Sequence, residues 1–107
     1  MESFIPVDDQ SFTSQVLQNK QPVLLEFGAT WCQPCKRLEP ILAKLGEQWA
    51  GRVTMAKCDV DQSADLAMKF GIMSVPTVIM FKGGKEVDRV SGLQTIDKLI
   101  SRFEPHL

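Results

Sequence analysis

Apolar and polar residues change rhythm repeatedly along this chain, and each change marks an element. The most continuous apolar run is Val23-Leu24-Leu25-Glu26-Phe27, and a run of that kind predicts a central strand buried on both faces, as in parallel sheets. Further on, Leu38, Ile41, Leu42, Leu45 and Trp49 recur at helical spacing and make one stripe of a long helix that Gly51 ends. Pro40 falls inside that helix, removes one intrahelical bond and is expected to kink its axis. Val53 to Val60 reads as the next strand. Two connections of this length between strands imply right-handed crossovers and parallel neighbours.

The flanks follow the same logic. Phe4 to Val7 suits a short edge strand, because Pro6 bars it from a central place. Asp8 and Asp9 offer N-caps to a helix carrying Phe12, Val16 and Leu17, which stops before Lys20-Gln21-Pro22. Asp61 and Ser63 are expected to cap a short helix with Leu66, Ala67 and Phe70, closed by Gly71. Val78 to Phe81 is a strand, Gly83-Gly84 a strong hairpin signal, and Glu86 to Val90 the antiparallel return, broken by Gly92. Thr95 caps a last helix whose stripe is Ile96, Leu99, Ile100 and Phe103, ended by Pro105. The order is βαβαβαββα, an α/β fold with a central mixed five-stranded sheet flanked by four helices, and residues 1–107 read as a single domain.

Where the central strand gives way to the long helix stands Trp31-Cys32-Gln33-Pro34-Cys35-Lys36. At a helix N-terminus, unpaired N–H groups and the positive end of the macrodipole favour an anion, so a Cys32 thiolate is stabilised and its pKa should fall below the roughly 8.5 of a free thiol. Cys35 follows one turn later on the same face. Side chains at that spacing lie about 5–6 Å apart at Cβ, slightly beyond the roughly 3.5–4.5 Å of a disulfide, so the pair closes with modest adjustment and reopens. Pro34 lies in the first turn, where its missing N–H costs nothing and its fixed φ stiffens the loop. A half zinc site and a purely structural disulfide compete with the redox reading. Zinc wants four ligands, however, and only Cys58 and His106 remain. A structural disulfide does not suit the reducing compartment expected here.

Composition narrows the function further. A net charge of -1 with 7% aromatic residues offers no basic surface for phosphate backbones, so nucleic acid is not an expected partner. The opening Met1-Glu2-Ser3-Phe4 has neither a basic region nor an apolar stretch, and no run approaches the roughly 20 apolar residues of a membrane span. The expectation is a soluble, cytoplasmic monomer without a bound cofactor or metal.

Two charged residues on strands stand out. A charge inside a strand buried on both faces is expensive and tends to be kept for chemistry, which makes Glu26 a candidate; the plainer alternative is a solvent-facing residue at a fraying strand end. Adjacent strand residues face opposite ways, so if Cys58 is a small buried hydrophobe, Lys57 is on the other face and within reach of Glu26. A solvated strand-end lysine is the competing reading of Lys57.

Taken together, these residues resemble the thioredoxins along the whole chain: Asp8 to Phe12, Glu26-Phe27, Trp31-Cys32 with Pro34-Cys35-Lys36, Pro40, Ala56-Lys57, Asp61, Gly71, Val75-Pro76-Thr77, Phe81 to Gly84, and Gly92. The resemblance implies the thioredoxin fold and a thiol-disulfide oxidoreductase acting as a protein-disulfide reductant. It makes Cys32 the nucleophile, Cys35 the resolving thiol, Glu26 the proton acceptor with Lys57 nearby, and Pro76 a cis residue facing the disulfide. It further implies recharging by a thioredoxin reductase, and docking of disulfide-containing target proteins on Trp31, Gln33, Pro34, Met73, Val75, Pro76, Gly92 and Leu93. Three positions depart from the common pattern: Gln33 replaces a glycine, Glu26 an aspartate and Gly28 a tryptophan. A redox-independent scaffold and a disulfide oxidase or isomerase are the alternatives, since fold alone does not choose among them.

Overall fold

In the computed structural model, which describes residues 4–107, the strands are Ile5–Pro6 (β1), Val23–Gly28 (β2), Thr54–Asp59 (β3), Thr77–Lys82 (β4) and Lys85–Ser91 (β5). The α-helices are Gln33–Gln48 (α1), Ala64–Lys69 (α2) and Ile96–Phe103 (α3), the last followed by a 3₁₀ turn at Glu104–His106. The opening Met1-Glu2-Ser3 lies outside the described residues. The sheet order is β1-β3-β2-β4-β5. β3 runs parallel to both β1 and β2, while β4 is antiparallel to β2 and β5.

The central place of β2 follows from its composition. Val23, Leu25 and Phe27 point into one apolar layer with Phe12, Val16, Leu66 and Phe81, and Leu24 points into the other with Leu38, Leu42, Leu45, Leu99 and Phe103. Each such side chain contributes roughly 1.5–3 kcal/mol on full burial. The layer containing Leu24 lies beneath α1 and α3. Glu26 alternates with Leu25 and Phe27, so it falls on that same α1 face. Gly83 and Gly84 both have positive φ, 61° and 81°, which is the backbone of the tight hairpin joining β4 to β5.

Two local expectations are corrected. The first helix is a single wide turn over Thr13–Leu17, with the Gln18 N–H reaching the Thr13 carbonyl at 2.9 Å. Asn19 terminates it: its side-chain amide donates to the Gln15 carbonyl at 3.0 Å and its side-chain oxygen accepts from the Gln21 N–H at 2.9 Å, so the chain turns out before an α-helix is established. Ser63 holds the N-cap position of α2 as expected, but neither its side chain nor that of Asp61 makes the capping bond. The α2 N–H of Leu66 is instead bonded by the Asp9 carboxylate at 3.0 Å, 57 residues away, while Ser63 is buried and turned toward Cys58. Pro40 lies inside an α1 that runs unbroken through it. At the far end, Thr95 caps α3 by accepting from the Lys98 N–H at 3.2 Å.

Candidate active site

β2 ends at Gly28, a turn closes with Cys32 N–H on the Ala29 carbonyl at 3.2 Å, and α1 begins. Cys32 is its N-cap. The Cys32 sulfur accepts the Cys35 N–H at 3.1 Å, so a backbone donor points at that sulfur. No acidic residue lies in the first turn of α1, and none there opposes a thiolate. Cys32 and Cys35 are joined as a disulfide with Cα atoms 5.3 Å apart, well within the usual range. Both are buried, at 3% and 2% exposure. The Val75-Pro76 peptide bond is cis.

Glu26 is 2% exposed, which removes the reading of a solvent-facing strand end. Its Oε2 is buried with no hydrogen-bond partner among the described residues. Burial first, then the nearby Glu39 carboxylate, push its pKa up to about 7, and Lys57 pulls the other way. Lys57 is the register neighbour of Glu26 across the β2–β3 pair and lies on the same face, opposite to Cys58 as the alternation requires. Its ammonium nevertheless sits 4.0 Å from Glu39 Oε2.

Behind the disulfide lies a cavity of about 350 Å³ lined by Glu26, Gly28, Lys36, Glu39, Lys57 and Asp59, among others. A Cβ at Gly28 would stand 3.3 Å from Cys35 Sγ and 3.6 Å from Glu26 Oε2, so position 28 borders both groups. Those two atoms are therefore at most about 7 Å apart, a distance that one or two waters can span.

The expected docking residues separate into groups. Trp31, Met73 and Val75 line one shallow groove of about 220 Å³ with Val60, Ile72 and Ser74. Trp31 is 65% exposed and Met73 94%, and the Trp31 indole N–H donates to Asp61 Oδ2 at 2.8 Å, which fixes the ring over the groove. Gly92, with a φ of 86°, donates its N–H to the Pro76 carbonyl at 2.7 Å and so carries the exposed Leu93 to the cis-proline loop. Gln33 and Pro34 sit on the first turn of α1 and are not part of that groove.

Glu39, Val60 and Ile72 are among the lining residues that the sequence did not single out. Glu39 had a signal, since it lies one turn after Cys35 on α1. Val60 and Ile72 had none beyond being apolar residues next to strand and helix ends. Among the described residues no group of three or more His, Cys, Asp or Glu is arranged to hold a metal ion, and no helix is long and apolar enough to cross a membrane.

Comparison with known proteins decides what this geometry belongs to. A family model described as thioredoxin matches residues 3–104. The chain belongs to the thioredoxin family. Thioredoxin 1 of Nostoc sp. is 36% identical over 107 residues, covering 100% of both chains. Thioredoxin of Synechocystis sp. is 39% identical over 101 residues, 94% of each. The bifunctional thioredoxin reductase/thioredoxin of Mycobacterium leprae is 43% identical over 88 residues, which are 82% of this chain and 19% of that protein. A thioredoxin with its two active-site sulfurs in a disulfide is a thiol-disulfide oxidoreductase, and that is the activity of this chain.

Proposed function

We propose that this thioredoxin is a protein-disulfide reductant of a reducing, cytoplasmic compartment, working as a single domain over residues 1–107 and as a monomer, with no bound cofactor beyond its own Cys32-Cys35 pair. In the reduced protein the Cys32 thiolate attacks one sulfur of a target disulfide. That bond breaks, a Cys32–target disulfide forms, and the other target sulfur leaves as a thiolate. Cys35 then gives its proton to Glu26 and attacks Cys32 Sγ, which releases the second target thiolate and closes the Cys32-Cys35 disulfide. Two electrons have passed to the target. A thioredoxin reductase restores the dithiol; the bifunctional relative, whose name joins both proteins, supports that partnership.

The observation that carries this reading is the buried Glu26 carboxyl, whose Oε2 has no hydrogen-bond partner among the described residues and lies within about 7 Å of the sulfur of Cys35, the thiol that must lose a proton. A base with a pKa of about 7 is matched to work near neutrality. Held on the same turn as Cys32, Cys35 attacks intramolecularly, which keeps the mixed disulfide short-lived. The exposed Trp31, Met73 and Leu93, with Gln33, Pro34, Val75, Pro76 and Gly92 around them, form the apolar surface on which an extended target segment docks, much as a strand adds to an edge.

The test is NADPH consumption in the presence of a thioredoxin reductase and a protein disulfide. The wild-type chain turns over and Cys32→Ser does not. A Cys32→Ser, Cys35→Ser double variant that retained full biological activity would show a scaffold role instead.

A further inference from the structure

The partner that Lys57 chooses is unexpected. Glu26 and Lys57 are direct neighbours in the parallel β2–β3 register and point to the same face, which is the arrangement that ordinarily gives an ion pair. The ammonium turns instead to Glu39 Oε2, at 4.0 Å, and leaves Glu26 Oε2 without a hydrogen-bond partner among the described residues. The physical reason is solvation. Lys57 and Glu39 meet at the wet mouth of the cavity, with 47% and 30% of their side chains exposed, whereas closing on Glu26 would bury the ammonium as well.

The groups facing Glu26 can be followed element by element. β3 supplies Lys57 together with Asp59, α1 supplies Cys35, Lys36 and Glu39, and β4 sets the apolar Val78 beside it. Of these, Glu39 and Lys57 are the two charged groups that bear on its protonation, with opposite signs. A carboxylate clamped by a lysine holds its charge and is a poor acceptor for the proton of a thiol.

We propose that Glu39 is a positioning residue: it holds the Lys57 ammonium away from the buried Glu26 carboxyl and so keeps Glu26 free to exchange a proton with Cys35. The proposal rests on Glu26 as the proton acceptor, and it gives Glu39 a role that neither touches the target nor the sulfurs. Glu39 acts in two ways, by its own negative charge and by occupying Lys57. Replacing it releases Lys57 toward Glu26, and both changes favour the ionised carboxylate.

The experiment follows the Glu26 carboxyl by carbon NMR against pH in the reduced whole protein, alongside single-turnover reduction of a protein disulfide over the same range. In Glu39→Gln the Glu26 midpoint falls by roughly half a pH unit or more, and the rising limb of the resolution rate moves down with it. Glu39→Asp keeps most of the wild-type behaviour. In a Lys57→Met background the Glu39→Gln shift shrinks, because the lysine that Glu39 holds is gone. An unchanged Glu26 midpoint in Glu39→Gln overturns the proposal. So does an equal shift with and without Lys57, which assigns the effect to direct repulsion. A midpoint that moves as expected while Glu26→Gln keeps the wild-type pH profile of resolution leaves Glu39's hold on Lys57 standing and removes Glu26 from the reaction.

Discussion

Gly28 borders both Cys35 and Glu26: a Cβ there would stand 3.3 Å from Cys35 Sγ and 3.6 Å from Glu26 Oε2. The first contact is tighter than ordinary packing, and the added methyl fills space beside both atoms. Gly28→Ala should therefore prolong the mixed disulfide several-fold while changing stability by less than about 1 kcal/mol, since β2 tolerates alanine. Stopped-flow trapping of the mixed disulfide measures the first and denaturant unfolding the second. An unchanged lifetime would mean that the gap at position 28 is not the proton route.

Glu26 should combine a catalytic benefit with a stability cost at high pH. Its folded pKa of about 7 lies above that of an exposed glutamate, so the native state holds the extra proton. The stabilisation this provides is fully present below the unfolded pKa, near pH 4, and is lost as pH rises through about 7. Glu26→Gln removes that loss. The variant should gain on the order of 2–3 kcal/mol over wild type at pH 8 and close to nothing at pH 4, while Cys35 resolves the mixed disulfide more slowly. Unfolding curves at the two pH values, with single-turnover kinetics, test both halves.

Cys32 should label before Cys35 in the reduced protein. Burial does not separate the two, since both are nearly inaccessible in the disulfide state. The difference comes from position: Cys32 caps α1 and accepts the Cys35 N–H, and a donor aimed at sulfur lowers its pKa. Iodoacetamide labelling against pH, read by peptide mass, should show a lower midpoint at Cys32, and equal midpoints would sink the assignment of nucleophile and resolving thiol.

Cys58 is expected to be inert. It is buried against Val7, Ala56 and Leu66, and burial pushes its thiol up to about 11, so almost no thiolate exists near neutrality. Cys58→Ala should keep the reductase rate and lose roughly 1 kcal/mol of stability to the void. A Cys58-linked dimer under mild oxidation would contradict this.

Much of the fold was legible in the residues because its signals are local. Four apolar residues interrupted only by Glu26 mark the middle of a sheet; Gly83-Gly84 has the backbone freedom that a tight hairpin requires; Leu38, Leu42 and Leu45 repeat with the helical period. The Cys32-to-Cys35 site was legible for the same reason, since strand, cap and first helical turn are neighbours in the chain. The wide turn at Thr13–Leu17 was not legible, because Asn19 competes for backbone bonds that helical periodicity does not report. The cap of α2 comes from Asp9, and the Trp31 indole is held by Asp61; each pairing joins groups that only folding brings together. Lys57 shows the limit most clearly. Strand alternation by itself determined that it shares a face with Glu26, but whether the ammonium closes on Glu26 or on Glu39 depends on how deeply each carboxylate is buried and where the cavity meets water, and desolvation of that kind is a property of the packed molecule alone.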